Sequence, residues 1–142
     1  MTAPLTPADV LNRAADWFAE DPARWTRGSY VLDGCRCALG GLAWVLDPED
    51  PDGDPLKLRS REATELGQAT VDFLADFLAD FYNMPVAVES PDETVANWND
   101  EQKTAAPIIG ALRAAAAEWT DREHLRLTRE LMAAVDRAEE SA

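Results

Sequence analysis

The sequence predicts a mainly α fold: a single-domain helical bundle of about five helices, spanning residues 1–142, with a small β-hairpin near residues 29–37. Three observations predict it. Helix-start signatures recur along the chain, at Thr6-Pro7-Ala8-Asp9, Ser90-Pro91-Asp92-Glu93 and Thr120-Asp121-Arg122-Glu123. Between them apolar residues return at intervals of three and four, the spacing of one helix face. The 142 residues are 46% apolar and include five Trp, which is enough for one packed core and too aromatic for a disordered acidic tail.

The first helix opens with Thr6 as cap and Pro7 in its first turn, presents Val10, Leu11, Ala14, Ala15 and Phe18 on one face, and stops at Asp21-Pro22. Ser29 to Leu32 and Cys35 to Cys37 read as two short strands, because Asp33-Gly34 between them supplies the positive φ angles of a tight turn. The apolar run Ala38 to Leu46 reads as a short buried helix. Its Gly40-Gly41 pair costs roughly 1 kcal/mol per glycine in a helix unless another backbone packs close. Asp47 to Pro55 holds five acids, three prolines and a glycine, and is expected to be an exposed loop.

A long central helix is expected from about Ser60 to Tyr82, with Leu66, Phe73, Leu74, Phe77, Leu78 and Phe81 facing inward. Within it, Asp72, Asp76 and Asp80 recur at every fourth position, each followed by Phe. Helical pitch stacks these carboxylates on one face. Between Arg61 and Lys103 the chain has no basic residue, so nothing nearby in sequence offsets their repulsion. Asn83-Met84-Pro85 should end this helix, and Val86-Ala87-Val88 reads as a brief strand. Ser90 then caps a helix of at most two turns, which leads to Trp98-Asn99-Asp100. Thr104 is the expected cap of the next helix, whose buried face is Ile108, Ile109, Leu112 and Ala115 or Ala116. A fresh helix should start at Thr120 and run to about Glu139, with Leu125, Thr128, Leu131, Met132 and Val135 as its apolar stripe. Arg122, Arg126, Arg129 and Arg137 on this helix alternate with acids and read as a solvated face.

Charge and motif content narrow the function classes. With 27 acids against 13 bases the formal net charge is −14, which argues against direct nucleic-acid binding, since that needs clustered cations. No apolar stretch reaches the ~18 residues of a membrane span, and no secretory signal precedes the first helix, so a cytoplasmic protein without membrane contact is expected. Cys35 and Cys37 are too close in sequence for an unstrained disulfide and are expected as reduced thiols.

No metal or cofactor is expected. Asp50, Asp52 and Asp54 match the first three ligand positions of a calcium loop. The required Gly is replaced by Pro55, however, and the closing Glu by Arg61. Cys35, Cys37 and His124 lack a second ligand pair for zinc. Cys37 sits where a helix dipole favours a thiolate, but His124 is the sole histidine available as a base.

Trp25-x-x-Gly28, then Cys37-Ala38-Leu39-Gly40-Gly41, then Trp98-Asn99-Asp100 with Thr104 before an Ala-rich helix resemble an uncharacterised family of small proteins from actinobacteria and their phages. The resemblance covers roughly residues 8–118 and implies no activity. Physically these residues read as scaffold, with Trp98 anchoring the core and Asn99 and Asp100 bonding backbone groups. Any pocket would be lined by Trp25, Cys37, Trp98, Asn99 and Asp100.

The expectation is therefore a small acidic, non-enzymatic protein that binds a basic surface of a partner protein. The partner could be a host nucleic-acid-binding protein, with this chain its inhibitor or regulator, imitating nucleic-acid charge. The contact residues would be Asp72, Asp76, Asp80 and Glu65 with Asp50, Asp52 and Asp54. The alternative is a Cys-dependent enzyme or small-ligand protein built on Cys37 and the Trp98-Asn99-Asp100 turn. The plainest reading is that the charge serves solubility alone.

Overall fold

Helix α1 (Pro7–Glu20) begins where the local chemistry says it should. The Thr6 side chain accepts from the Asp9 amide, and the Asp9 carboxylate accepts from the Thr6 amide in return. The computed structural model describes residues 4–83 and 90–141. After α1 come a 3₁₀ turn (Pro22–Arg24) and a two-stranded antiparallel hairpin, β1 (Val31–Leu32) and β2 (Cys35–Arg36). Four more helices follow: α2 (Ala38–Leu46), α3 (Arg61–Phe81), α4 (Pro91–Glu101) and α5 (Ala106–Glu140). The chain is thus mainly α, with five helices and one small hairpin among the described residues.

The hairpin turn has Asp33 at φ 51° and Gly34 at φ 80°, the left-handed pair that a two-residue connection between twisted strands needs. Behind it lies the reason for the glycine pair in α2. A Cβ on Gly40 would fall 1.9 Å from the Tyr30 carbonyl oxygen, and one on Gly41 would fall 2.6 Å from the Phe18 ring. The hairpin and α1 therefore pack directly on the α2 backbone. One apolar cluster joins Leu11, Ala14 and Phe18 of α1 and Leu39 and Leu42 of α2 to Leu74 and Leu78 of α3, Val95 and Trp98 of α4, and Ile108 and Leu112 of α5.

Several expectations are corrected. The last two expected helices are one. α5 runs for 35 residues without a break at Thr120, whose hydroxyl donates to the Ala116 carbonyl within the helix instead of capping a new one. A capping box starts a helix only where the chain is already extended. Here no Gly or Pro interrupts residues 111–140, and the Arg122–Glu118 pair ties the turns together across the expected break. At the start of α5, Ala105 rather than Thr104 holds the cap position, and no side chain caps it. α4 has eleven residues, about three turns, and Ser90 precedes it without a capping bond from its hydroxyl.

Phe77 is buried and stacks on Phe81 at 5.4 Å between ring centroids, but Phe81 itself is 64% exposed, because it lies in the last turn of α3. The stripe Leu125, Leu131, Met132 and Val135 is exposed as well, since α5 outruns the helices it packs on. The strand expected at Val86-Ala87-Val88 lies outside the described residues.

Candidate functional site

The three sequence motifs converge on one side chain. Asn99, in the last turns of α4, is fully buried. Its Oδ1 accepts from Trp25 Nε1 at 2.8 Å and from the Ala38 amide at 2.9 Å, and its Nδ2 donates to the Thr26 carbonyl at 3.2 Å. One carboxamide thus ties α4 to the segment before the hairpin and to the first amide of α2. Next to it, Asp100 Oδ1 accepts from the Gly28 amide at 2.9 Å and from Asn99 Nδ2 at 3.3 Å. Trp98 points into the core at 1% exposure, and its indole N–H has no partner among the described residues.

In front of this lattice is an open cleft of about 300 Å³, lined by Gly28, Ser29, Tyr30, Cys37, Ala96 and Asp100. Of the five expected pocket residues, Cys37 and Asp100 reach the cleft. Trp25, Trp98 and Asn99 form the wall behind it. The other lining residues come from the segment leading into the hairpin and from a turn of α4 that sequence patterns treat as spacer; of these only Gly28 stood out beforehand, in the Trp-x-x-Gly motif.

The chemistry of the cleft is muted. Cys37 is the N-cap of α2, with Sγ accepting from the Gly40 amide at 3.5 Å, and at 5% exposure burial pushes its thiol up despite the helix end. Tyr30 is pushed up to about 12, first by burial and then by Asp54 and Asp92. His124 is exposed on the far part of α5, beyond the last core-packed apolar residue of that helix, Trp119. Cys37 and Cys35 are both free thiols. Among the described residues no group of three or more His, Cys, Asp or Glu is placed to hold a metal ion.

The acidic loop is less of a surface than expected. Asp50 is 5% exposed, and its Oδ1 accepts from the Asp52 and Gly53 amides, so it closes a turn instead of facing a partner. Beneath it the buried guanidinium of Arg36 donates to the Gly40 carbonyl at 2.9 Å. Burial lowers the pKa of Arg36, and the Asp50 charge opposes that shift. Asp47 is paired through both oxygens with Arg59, which holds its carboxyl below the usual range, and Glu49 lies 3.8 Å from the same guanidinium. Asp54 is half-buried and accepts from the Leu56 amide. Of the loop's candidate contacts only Asp52 is exposed.

The face of α3 is different. Glu62, Glu65, Asp72, Asp76 and Asp80 are all exposed. At 3.6 residues per turn they fall within roughly 80° of arc and extend along about 27 Å of helix. Glu65 is paired with Arg61 at 2.9 Å, whereas Glu62, Asp72, Asp76 and Asp80 have no ion pair among the described residues. Partial burial and the neighbouring Asp76 charge both raise the Asp72 carboxyl, as expected for acids stacked with no cation between them.

Residues 2–118 match the model of a family of unknown function, DUF6197. The chain belongs to that family. Searches of the curated proteins and of the solved structures find no match. The matched span takes in the motif lattice, the cleft and the α3 face. It stops one residue before Trp119, so most of the exposed part of α5 lies beyond it. No helix among the described residues is long and apolar enough to cross a membrane.

Proposed function

We propose that this chain is a non-enzymatic cytoplasmic protein that binds a basic surface of another protein through the acidic face of α3, as an inhibitor or regulator of that partner in an actinobacterial or phage setting. One observation carries the reading: Glu62, Asp72, Asp76 and Asp80 line one side of a helix whose other side is locked into the core, and no cation of the described chain neutralises them. Like charges four residues apart destabilise a helix by about 0.2–0.5 kcal/mol per pair. A row of them is a stability cost that a cationic partner would offset.

Imitation of nucleic acid receives less support than plain charge complementarity. Carboxylates every ~6 Å along a helix are sparser than the one charge per ~1.7 Å of duplex DNA. The loop acids that would have filled the gaps are spent on Arg59 and on backbone amides. A row of Arg or Lys on a partner helix or strand fits this spacing better.

The test is capture of partners on immobilised protein, comparing wild type with Asp72→Asn/Asp76→Asn/Asp80→Asn. Three exposed charge pairs at about 0.5 kcal/mol each predict roughly tenfold weaker binding. Equal capture by the two proteins would defeat the proposal.

The cleft favours a second reading, a small polar ligand held by Asp100 and the Tyr30 hydroxyl. Cys37 contributes no nucleophile to it, because the buried thiol has its pKa raised and no imidazole beside it.

A further inference from the structure

Trp119 is the last apolar residue of α5 packed on the core, and Arg122 still lies over the Phe73 ring; beyond Trp119 the helix continues for some twenty residues with an apolar face that no part of the described chain covers. Leu125, Leu127, Leu131, Met132 and Val135 keep 48, 51, 66, 63 and 48% of their surface free. The direction of this face matters as much as its exposure. Ile108, Ala111, Leu112, Ala115 and Ala116 mark the inner side of α5, and the exposed Gly110 and Ala117 mark its outer side. Steps of three, four and seven from Ala117 lead to His124, Thr128, Leu131 and Val135, so the apolar face continues the outer side. A straight α5 cannot turn this face toward its own bundle.

We infer that this face pairs with the same face of a second copy, the two α5 ends lying antiparallel. The area is of the right size. Five such side chains expose on the order of 500 Å², at the upper end of what a monomer carries, and two copies contribute about 1,000 Å², the lower bound for a specific interface. Charge sets the direction. Residues 119–129 hold Arg122, Arg126 and Arg129 against Asp121 and Glu123, whereas residues 130–140 hold Glu130, Asp136, Glu139 and Glu140 against Arg137. Parallel pairing lays the acidic ends side by side. Antiparallel pairing sets each acidic end beside the more basic segment and opposes the helix dipoles. In that register His124 faces Val135 of the second copy and Thr128 faces its Leu131.

A membrane surface is a poorer occupant. Helices that lie on membranes have a Lys- and Arg-rich polar side, and here six acids accompany four arginines over residues 121–140. The inference does not depend on the α3 reading, since the two surfaces lie on different helices.

The test is sedimentation of the full chain over about a hundredfold range of concentration, because mass action must populate the pair as concentration rises. Wild type is expected to pass from monomer to dimer. Leu131→Glu/Val135→Glu is expected to stay monomeric, at least about tenfold weaker in association, with unchanged far-UV circular dichroism, because both side chains are already exposed in the single chain. Orientation is read from cross-linking in a Cys35→Ser background: His124→Cys and Val135→Cys chains should cross-link to each other when mixed, and neither should cross-link to itself. A wild type that stays monomeric throughout, or a double Glu variant that dimerises as wild type does, overturns the inference. So does self-cross-linking of either single-Cys chain, or a wild type that binds anionic vesicles as a monomer.

Discussion

Replacing Asn99 by Ala removes the one side chain that holds the hairpin segment, α2 and α4 together, and the structure allows the cost to be worked out. The Ala38 amide is fully buried and loses its only side-chain acceptor, a loss of about 2 kcal/mol for an unsatisfied buried donor. Trp25 Nε1 and the Thr26 carbonyl also lose their partner, but both residues are half-buried, so water relieves them and each adds about 0.5–1 kcal/mol. The total is about 3–4 kcal/mol, a large part of the 5–15 kcal/mol typical of a domain. At an m-value of about 2 kcal/mol/M the urea midpoint should fall by roughly 1.5–2 M. Asn99→Asp keeps the acceptor for Trp25 and Ala38 but loses both donations and places a carboxyl beside Asp100. Burial and Asp100 raise the folded-state pKa of that introduced carboxyl. Its unfavourable ionisation is therefore absent at low pH and destabilises the variant as pH rises through the carboxylate range. Urea melts of both variants, the second at acidic and neutral pH, check this. A loss below about 1 kcal/mol for Asn99→Ala would refute the lattice as the joint of the fold.

Three further outcomes follow from the same geometry. Gly40→Ala should destabilise by about 3 kcal/mol or more, because the Tyr30 carbonyl cannot move without the hairpin, whereas Gly110→Ala, with nothing within 4 Å of the new methyl, should stabilise α5 by roughly 0.5–1 kcal/mol; thermal melts of the pair distinguish them. With a thiol reagent at neutral pH, Cys35 should label and Cys37 should stay protected until the protein unfolds; fast labelling of Cys37 in the folded protein would revive a catalytic role for it. Asp76→Asn should raise stability by about 0.4–1 kcal/mol by removing two like-charge neighbours. The Asp72 carboxyl, raised in the fold, contributes stability fully at pH values below its unfolded pKa and loses it as pH rises through the folded value, so the gain from Asp76→Asn should be larger at neutral pH than in acid.

The parts of the fold legible in the sequence are those with local chemistry. Thr6 with Asp9, Asp33-Gly34 and Ser60 each satisfy or bend the backbone within three residues, and α1, the hairpin and α3 begin where those residues stand. Gly40-Gly41 announced a close backbone approach; at Gly40 the Tyr30 carbonyl supplies it, while at Gly41 the close neighbour is the Phe18 ring of α1. Length was harder to read than position. Phe81 and the α5 stripe carry correct helical periodicity, but periodicity names a face without saying how far the neighbouring helix reaches to cover it. The Thr120 pattern misleads for a related reason, since a cap is used only where the chain leaves the helix.

At the site, Asn99 and Asp100 were identifiable as backbone-bonding anchors and Trp25 as a motif residue, yet the bonds joining them cross more than sixty residues of sequence and leave no periodic trace. Asp50 shows the opposite failure. Its neighbours mark an exposed acidic loop, and the one acid that turns inward does so to accept two amides that only the folded loop aligns.

The claim that matters most is that α3 presents its unpaired carboxylates to a cationic partner. The direct measurement is the affinity of the captured partner as a function of salt, for wild type and for Asp72→Asn/Asp76→Asn/Asp80→Asn. Interactions between exposed charges weaken as added salt shortens the screening length, so wild-type affinity should fall steeply with ionic strength. The variant should start roughly tenfold weaker at low salt and show a visibly shallower slope. Identical affinities and slopes for the two proteins would contradict the account and leave the acidic face a solvated surface.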